Sequence, residues 1–123
     1  MNHFLTLMLK TFSGKAYTLN HLGCWTDASE RAISGGKRHV DINHDIVNGC
    51  MMFADDREWT VFAVQNQGQC FTAENAGDTY KKHGRADGHG CIYGRGGEWS
   101  QDVYEIISSF PKGNYVTIKR EFK

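Results

Sequence analysis

DIVNGCMMFADDREWTVFAVQNQGQCF, residues 45–71, joins a helical pattern to a buried strand and a hairpin. Apolar residues recur at helical spacing after Asn43 or Asp45, either of which suits a helix N-cap. The short, fully apolar run 61–64 is typical of a central buried strand. Because Asn66-Gln67-Gly68 is a turn signal, the chain is expected to return as a second strand. This segment therefore predicts a helix packed on an antiparallel hairpin.

The rest of the chain supplies mostly strand patterns. Residues 103–107 are predicted as a strand, and the glycine-dense segment 84–97 as an irregular loop. A second, short helix is predicted over 74–83 and would be closed by Gly84. Further strands are expected at 4–12, 17–25 and 115–122, with a loop at 34–38. The sum is an α+β fold, in which one or two helices pack on a mainly antiparallel sheet.

The length of 123 residues indicates a single domain, residues 1–123. Its ends, 1–19 and 108–123, are expected to pair as strands with the core or with each other. The simplest partner of 4–9 is 115–122, as an adjacent antiparallel strand, because the chain ends of a domain usually lie close together. The alternative is a homodimer that shares the apolar edge formed by 4–9 across a two-fold axis.

Four cysteines in so short a chain indicate an oxidised protein. Cys24, Cys50, Cys70 and Cys91 lie twenty or more residues apart, so no C-x-x-C metal or thioredoxin-like site is present. Widely spaced cysteines in even number favour two disulfides over four buried free thiols. The helix with Cys50 must pack on the strand before the hairpin, which brings Cys70 within reach. We therefore predict a Cys50–Cys70 disulfide and, from the two cysteines that remain, Cys24–Cys91.

Composition and charge limit the classes of partner. Fourteen Lys and Arg residues balance fourteen Asp and Glu residues, so a basic face that binds nucleic acid is not expected. No apolar run reaches membrane-spanning length, and we expect no membrane insertion. The apolar start, 4–9, is too short for a signal-peptide core and is interrupted by Lys10. Because disulfides imply an oxidising compartment, we expect a secreted, extracellular protein with a leader outside this sequence or another export route.

Several motifs resemble a known extracellular family. Residues 23–27, Gly-Cys-Trp-Thr-Asp, are followed by Arg31-Ala32 and by a helix with a cysteine, and are similar to the opening of the WSC domain. A repeat common in extracellular proteins of invertebrates, particularly cnidarians, is more similar still. The motifs that resemble this repeat are F-A-V-Q-x-x-G-Q-C at 62–70, T-Y-x-K-x-G at 79–84 and W-x-x-D-V-Y-E at 99–105.

This WSC-like resemblance covers about residues 20–107, and the terminal segments have no counterpart in it. WSC domains carry a C-x-C after the hairpin, whereas Cys70 is followed here by Phe71 and Thr72. The resemblance implies a PAN/apple-like fold, secretion, and binding of a glycan or glycoprotein. It implies no catalytic activity.

A sugar site needs a flat aromatic face for the C–H groups of the ring and planar polar side chains for adjacent hydroxyls. We expect the loop bearing Arg95 and Trp99, together with the amide-rich tip 65–69, to form the ligand surface. Asp27 and Arg31 are either a structural pair or ligand contacts. The candidate ligand-binding residues are Gln65, Asn66, Gln67, Arg95, Trp99, Asp102, Asp27 and Arg31.

Histidines and aspartates suggest other kinds of site. A small secreted hydrolase or nuclease would need a pair such as His39 with His83, which only the fold could bring together. The sequence contains no H-E-x-x-H spacing and no D-x-D-x-D-G calcium loop. We therefore expect no metal, no cofactor and no enzymatic activity. The sequence predicts a lectin-like module that binds extracellular carbohydrate; the first alternative is a structural or adhesive module that binds protein and self-associates.

Overall fold

Six strands form one antiparallel sheet that is accompanied by two helices, so the α+β prediction is confirmed. The computed structural model describes the backbone of residues 7–12, 15–41, 44–87 and 90–111, and the side chains of 17–41, 44–87 and 90–107. The elements are β1 (Leu7–Phe12), β2 (Lys15–Thr26), β3 (Gly36–His39), α1 (Ile46–Asp55), β4 (Val61–Gln65), β5 (Gln69–Thr72), α2 (Ala76–Thr79) and β6 (Ser100–Pro111). The strands lie in the order β1-β2-β6-β4-β5-β3, and every neighbouring pair is antiparallel.

Helix α1 begins at an aspartate cap. The Asp45 carboxylate accepts hydrogen bonds from the backbone N–H of Asn48 at 3.3 Å and from its Nδ2 at 2.6 Å. Asp45 is therefore the N-cap, and the other candidate, Asn43, lies outside the described residues. A cap of this kind stabilises a helix by about 1 kcal/mol. The apolar face predicted for the helix is confirmed, since its buried residues are Ile46, Cys50, Met51, Phe53 and Ala54.

Both faces of the sheet are covered, and β4 shows why its sequence is continuously apolar. Phe62 and Val64 join the cluster under α1, whereas Val61 and Ala63 join a second cluster. Successive side chains of a strand point to opposite faces, so the two clusters lie on opposite sides of the sheet. The second cluster is formed by Trp25, Ile33, Val61, Ala63, Phe71, Ala73, Ala76, Tyr80 and Val103. Residues 61–64 are buried, as the sequence predicted for a central strand, and Gln65 at the end of β4 is buried as well.

The two predicted disulfides are present, and each connects elements that the sheet alone would leave unlinked. Cys50–Cys70 joins α1 to β5 with a sequence separation of 20. Cys24–Cys91 joins β2 to the glycine-rich loop with a separation of 67. Closing loops of these lengths contributes about 3 to 4 kcal/mol each in the loop-entropy treatment, with the larger value for Cys24–Cys91. The described residues contain no free cysteine.

The prediction of a loop at 34–38 is wrong in part, because strand β3 begins within this segment, at Gly36. Gly36 pairs with Thr72, and the register continues to His39 opposite Gln69. β3 lies at the edge of the sheet, and its last three residues are exposed. A short edge strand that carries Lys and Arg has the composition of a loop, and charges on an edge discourage pairing with other chains.

The second helix is shorter than predicted. The sequence predicted a helix over 74–83, but α2 is a single turn of four residues. Gly77 lies inside that turn, and glycine disfavours helix extension by about 1 kcal/mol relative to alanine. Gly84 does adopt a positive φ of 85°, but it lies beyond a stretch of turns rather than at the helix end.

The N-terminal strand pairs with its neighbour in sequence. β1 forms a hairpin with β2, in the register Leu7 opposite Asn20 to Phe12 opposite Lys15. The partner predicted for it, 115–122, lies outside the described residues. Both the predicted pairing of the two ends and the homodimer alternative therefore stay predictions.

A buried tyrosine links β2 to the end of α1. The Tyr17 hydroxyl donates a hydrogen bond to Asp55 Oδ2 at 2.8 Å. Burial of the phenol, the hydrogen bond to Asp55 and the negative charges of Asp55 and Asp56 raise the pKa of Tyr17 to about 12. Burial and, second, the Asp102 charge raise the pKa of Tyr104 in the same direction. Both tyrosines are therefore stabilised in the neutral form.

These raised pKa values predict a loss of stability in alkaline solution. The contribution of Tyr17 is complete below its unfolded-state pKa near 10 and is lost as the pH rises through its folded-state pKa of about 12. Tyr17→Phe should lower stability by about 1 kcal/mol at neutral pH through the lost hydrogen bond, and should make the alkaline decline shallower. Urea unfolding of both proteins across this pH range checks the prediction, and parallel declines would contradict it.

Candidate functional site

The tip of the β4–β5 hairpin is bound to the glycine-rich loop. Three residues, 66–68, connect the paired Gln65 and Gln69. Asn66 and Gln67 have positive φ values of 50° and 66°, the sign that both central positions of a type I′ turn require, and the Gly68 N–H donates to Gln65 O at 3.2 Å. The backbone N–H of Asn66 donates to Gly97 O at 3.0 Å, and that of Gln67 donates to Arg95 O at 3.0 Å. The Gln67 side chain adds a hydrogen bond from Nε2 to Gly96 O at 3.1 Å. The two segments that the sequence assigned to one surface are thus in direct contact.

Gly96 permits this contact. Its φ is +75°, and a Cβ at this position would lie 2.6 Å from Gln65 Cα and would also overlap Val64 O. Its backbone N–H donates to Asp102 Oδ2 at 2.9 Å, which connects the loop to β6. A residue with a side chain could not keep the loop this close to the hairpin. The requirement for glycine is therefore steric as well as conformational.

A buried chain of polar side chains lies beneath this end of the sheet. Gln65 is 1% exposed, and its amide donates from Nε2 to Glu98 O at 2.9 Å. Gln65 Oε1 accepts from Gln101 Nε2 at 2.9 Å, and Gln101 is fully buried. The same Gln101 nitrogen lies 3.5 Å from Asp27 Oδ2. These contacts connect β4 and β6 to the loop that follows β2.

Asp27 is the last member of this row of buried polar side chains, and it orients a surface arginine. Its carboxylate is 2% exposed and accepts from the backbone N–H of Ala32 at 2.9 Å. Its other oxygen accepts from Arg31 Nη1 at 2.7 Å. Asp27 and Arg31 therefore form a hydrogen-bonded pair, one of the two alternatives that the sequence left open. A carboxylate so deeply buried requires such partners, because an unpaired buried charge costs several kcal/mol.

Arg31 lies between two aromatic rings. Its guanidinium carbon is 5.0 Å from the centroid of Phe71 and 5.2 Å from that of Trp99. Trp99 is 49% exposed, whereas Phe71 is buried. Lys37 of β3 places its amino nitrogen 5.5 Å from the Phe71 centroid. These four residues, Trp99, Arg31, Phe71 and Lys37, are called here the Trp99 surface.

A depression adjoins the Trp99 surface along the edge of the sheet. Its volume is about 320 Å³, which is near the lower end for small-molecule sites. We call it the β3 groove. Its lining residues are Arg31, Ile33, Ser34, Gly35, Gly36, Lys37 and Phe71. Three residues of the Trp99 surface thus form one wall of the β3 groove.

The predicted site residues divide into surface and supporting groups. Asn66 is exposed, and Gln67 and Arg95 are half-buried. The side chains of Gln65, Asp27 and Asp102 are buried and used in internal hydrogen bonds, so in this structure they hold the surface from below. The structure adds Phe71, Lys37 and Gln101, none of which the sequence analysis selected.

Trp25 follows a cysteine in a strand, a position that predicts a core residue, and this is confirmed. Trp25 is 8% exposed, and its indole N–H donates to Leu22 O at 3.1 Å. Its ring meets Tyr80 edge-on at 5.3 Å. Trp25 therefore stabilises the second cluster. Trp99, which is half-exposed, is the tryptophan that a ligand could contact at this end of the sheet.

A larger depression of about 670 Å³ lies between β3 and α1. Its lining includes His39, His44 and Asp56. The aromatic ring in its wall belongs to Phe53, which is buried and covered by the Arg57 guanidinium at 4.1 Å. It therefore presents no open aromatic face, and we place the candidate site at the smaller Trp99 surface.

The histidines are used in separate places. His39 and His83, the pair suggested by the sequence, are not joined by a hydrogen bond. His83 Nε2 lies 2.6 Å from Glu30 O, and His39 is the last residue of β3. His21 Nε2 lies 2.7 Å from Asp102 Oδ1, the arrangement that orients a catalytic histidine in a triad. Within the described part of the chain, neither member of that pair is hydrogen-bonded to a hydroxyl or thiol group. No group of three metal-binding side chains is found among the residues described.

Comparison of the chain with protein-family models and with curated proteins found no match. The two disulfides are typical of proteins from oxidising compartments. No helix among the described residues has both the length and the apolar character needed to cross a membrane.

The packing around Gly96 predicts a difference between two glycine substitutions. Gly96 and Gly84 both have positive φ, so alanine at either position carries a backbone cost of roughly 1–2 kcal/mol. A Cβ at Gly84 meets no atom within 4 Å. Gly96→Ala should lower the free energy of unfolding by roughly a further 1–3 kcal/mol, because the loop must separate from the hairpin. Urea unfolding measures both losses, and equal losses would show that the close approach is not needed.

Proposed function

We propose that this protein is a secreted, non-enzymatic recognition module that binds extracellular carbohydrate at the Trp99 surface. The observation that carries the proposal is the half-exposed Trp99 indole beside the Arg31 guanidinium, 5.2 Å from its ring centroid. An aromatic face packs against the C–H groups of a sugar ring, and a planar guanidinium donates to adjacent hydroxyls. These are the two kinds of contact that a sugar site requires.

The fixed position of Arg31 supports the proposal. Its Nη1 is bound to Asp27, while the side chain remains 30% exposed. The guanidinium has five N–H donors, so donors remain for a ligand after the Asp27 bond is made. Because Asp27 and two rings already hold the side chain, little conformational entropy remains to be lost on binding. A preoriented donor of this kind favours affinity for small polar ligands.

The proposed ligand surface also includes the neighbouring polar side chains. Asn66 is exposed at the hairpin tip, and Gln67 beside it contacts Arg95, which belongs to the loop that carries Trp99. We assign these residues to contacts with further hydroxyls, and assign Gln65, Asp27 and Asp102 to positioning. The WSC-like motifs imply the same class of ligand and a PAN/apple-like relationship. Secretion agrees with the two disulfides.

A protein-binding module is the second candidate function. Ile92 is 50% exposed and Tyr93 is 87% exposed, next to each other on the loop after Cys91. Exposed apolar side chains of this size are frequent at interaction surfaces. An adhesive role would therefore use this loop, and self-association would lower its exposure. A glycan array with free-sugar competition distinguishes the two candidates, because a protein partner would not be displaced by sugar.

Trp99→Ala tests the proposal most simply. The substitution should weaken glycan binding about tenfold or more, while the free energy of unfolding changes by less than about 1 kcal/mol. Trp99→Phe should retain part of the affinity because an aromatic face remains. Glycan-array binding followed by calorimetry on the strongest glycan measures the affinities.

Tyr93→Ala is the matched control. Tyr93 lies in the same loop, and its side chain is more exposed than that of Trp99. Among the described residues, no cation lies over the Tyr93 ring, whereas Arg31 lies over that of Trp99. Glycan affinity should be unchanged in this variant. Loss of binding with Tyr93→Ala but not with Trp99→Ala would refute the assignment and favour the adhesive loop.

A further inference from the structure

We infer that the β3 groove receives an anionic group of the carbohydrate, a carboxylate or a sulfate, between Arg31 and Lys37. The inference names the ligand class of the proposed carbohydrate site and therefore rests on that proposal. It is supported by an independent observation. Two cations face the same buried ring, Phe71, at 5.0 Å and 5.5 Å, and both line the groove.

The balance of charge at this position is positive. Asp27 is the carboxylate bound to Arg31, and it is shared with the backbone N–H of Ala32. No carboxylate among the described residues is within ion-pair distance of Lys37. The protein as a whole carries fourteen basic and fourteen acidic residues, so this positive position is local. A local excess of positive charge beside a groove attracts an anionic substituent.

The two cations offer complementary geometry to such a group. Arg31 Nη1 donates to Asp27, and no other donor of its guanidinium has a hydrogen-bond partner among the described residues. Those donors can meet a carboxylate or sulfate in a directed way, whereas Lys37 acts as a mobile point charge on an exposed side chain. Ser34 lines the same groove with a hydroxyl group. The groove thus provides charge and hydrogen bonds at one position.

The groove also lies where a bound sugar would direct a substituent. Arg31 belongs to both the Trp99 surface and the β3 groove, and its guanidinium is 5.2 Å from the Trp99 centroid. Because Arg31 lies over one face of the indole, a sugar that packs on the exposed part of Trp99 has Arg31 across the ring, and a substituent that extends past the ring edge would reach Arg31. A charged group on that edge would enter the groove, while a neutral sugar would leave the groove to water. Acidic glycans should therefore bind more tightly than their neutral parents.

The experiment compares matched sets of glycans on an array. In each set the same neutral core is presented alone, extended by a carboxylate-bearing sugar, and modified by a sulfate ester. Lactose, 3′-sialyllactose and 3′-sulfated lactose are one such set. Affinities of the best set are then measured by calorimetry at low and moderate salt. We expect the acidic members to bind about tenfold more tightly than the neutral core, with the difference decreasing as salt screens the charges.

Lys37→Gln should remove most of that difference in affinity between acidic glycans and their neutral core. Lys81→Gln is the control, because Lys81 is also exposed and also faces a buried ring, with its amino nitrogen 5.7 Å from the Trp25 centroid. It removes the same charge at another site. The control should keep the full preference for acidic glycans.

The outcomes separate the inference from the proposed function. Equal, Trp99-dependent binding of neutral and acidic glycans would overturn the inference and leave the carbohydrate site intact. Equal effects of the two lysine substitutions would show a nonspecific charge effect and would also overturn it. Binding that inorganic sulfate abolishes and that Trp99→Ala does not change would show an anion site without a sugar, which contradicts both. Absence of binding to every glycan would likewise overturn both.

Discussion

The buried Asp27 carboxylate is the constraint on which the Trp99 surface depends. It is 2% exposed and is bound by the Ala32 backbone and by Arg31. Removing Arg31 would leave this buried negative charge without its counter-charge, which destabilises the fold. The conformation of the loop after β2 is therefore coupled to the position of Arg31. That coupling places a guanidinium between two aromatic rings at the surface.

Covalent and steric constraints assemble the rest of this end of the sheet around that ion pair. The Cys24–Cys91 disulfide attaches the start of the glycine-rich loop to β2, and Asp102 binds the loop at Gly96. The hairpin tip then occupies the space left by the missing Gly96 side chain. Each interaction uses buried groups and leaves Trp99 half-exposed. The surface is consequently supported by rigid elements, as a preoriented binding site requires.

Sequence patterns identified the features that depend on local chemistry. Helical spacing and the Asp45 cap predicted α1, and an apolar run predicted β4, because these signals act within a few residues. The disulfides followed from packing the predicted helix on the predicted hairpin. β3 was missed because edge pairing adds no apolar pattern to a charged segment. Gln65 was assigned to the surface because an amide in a turn and an amide in a buried network have the same sequence signal. Lys37 and Phe71 join the site only through strand pairing between β3 and β5.

The central claim is that carbohydrate is bound at Trp99 and not elsewhere on the protein. Two-dimensional NMR of the indole N–H groups tests it directly, because each of the three tryptophans gives its own signal. During titration with the tightest-binding glycan of the array, the Trp99 signal should shift progressively and saturate. The buried Trp25 signal, from an indole hydrogen-bonded to Leu22, should remain in place. Saturation of binding with an unchanged Trp99 signal would contradict the account.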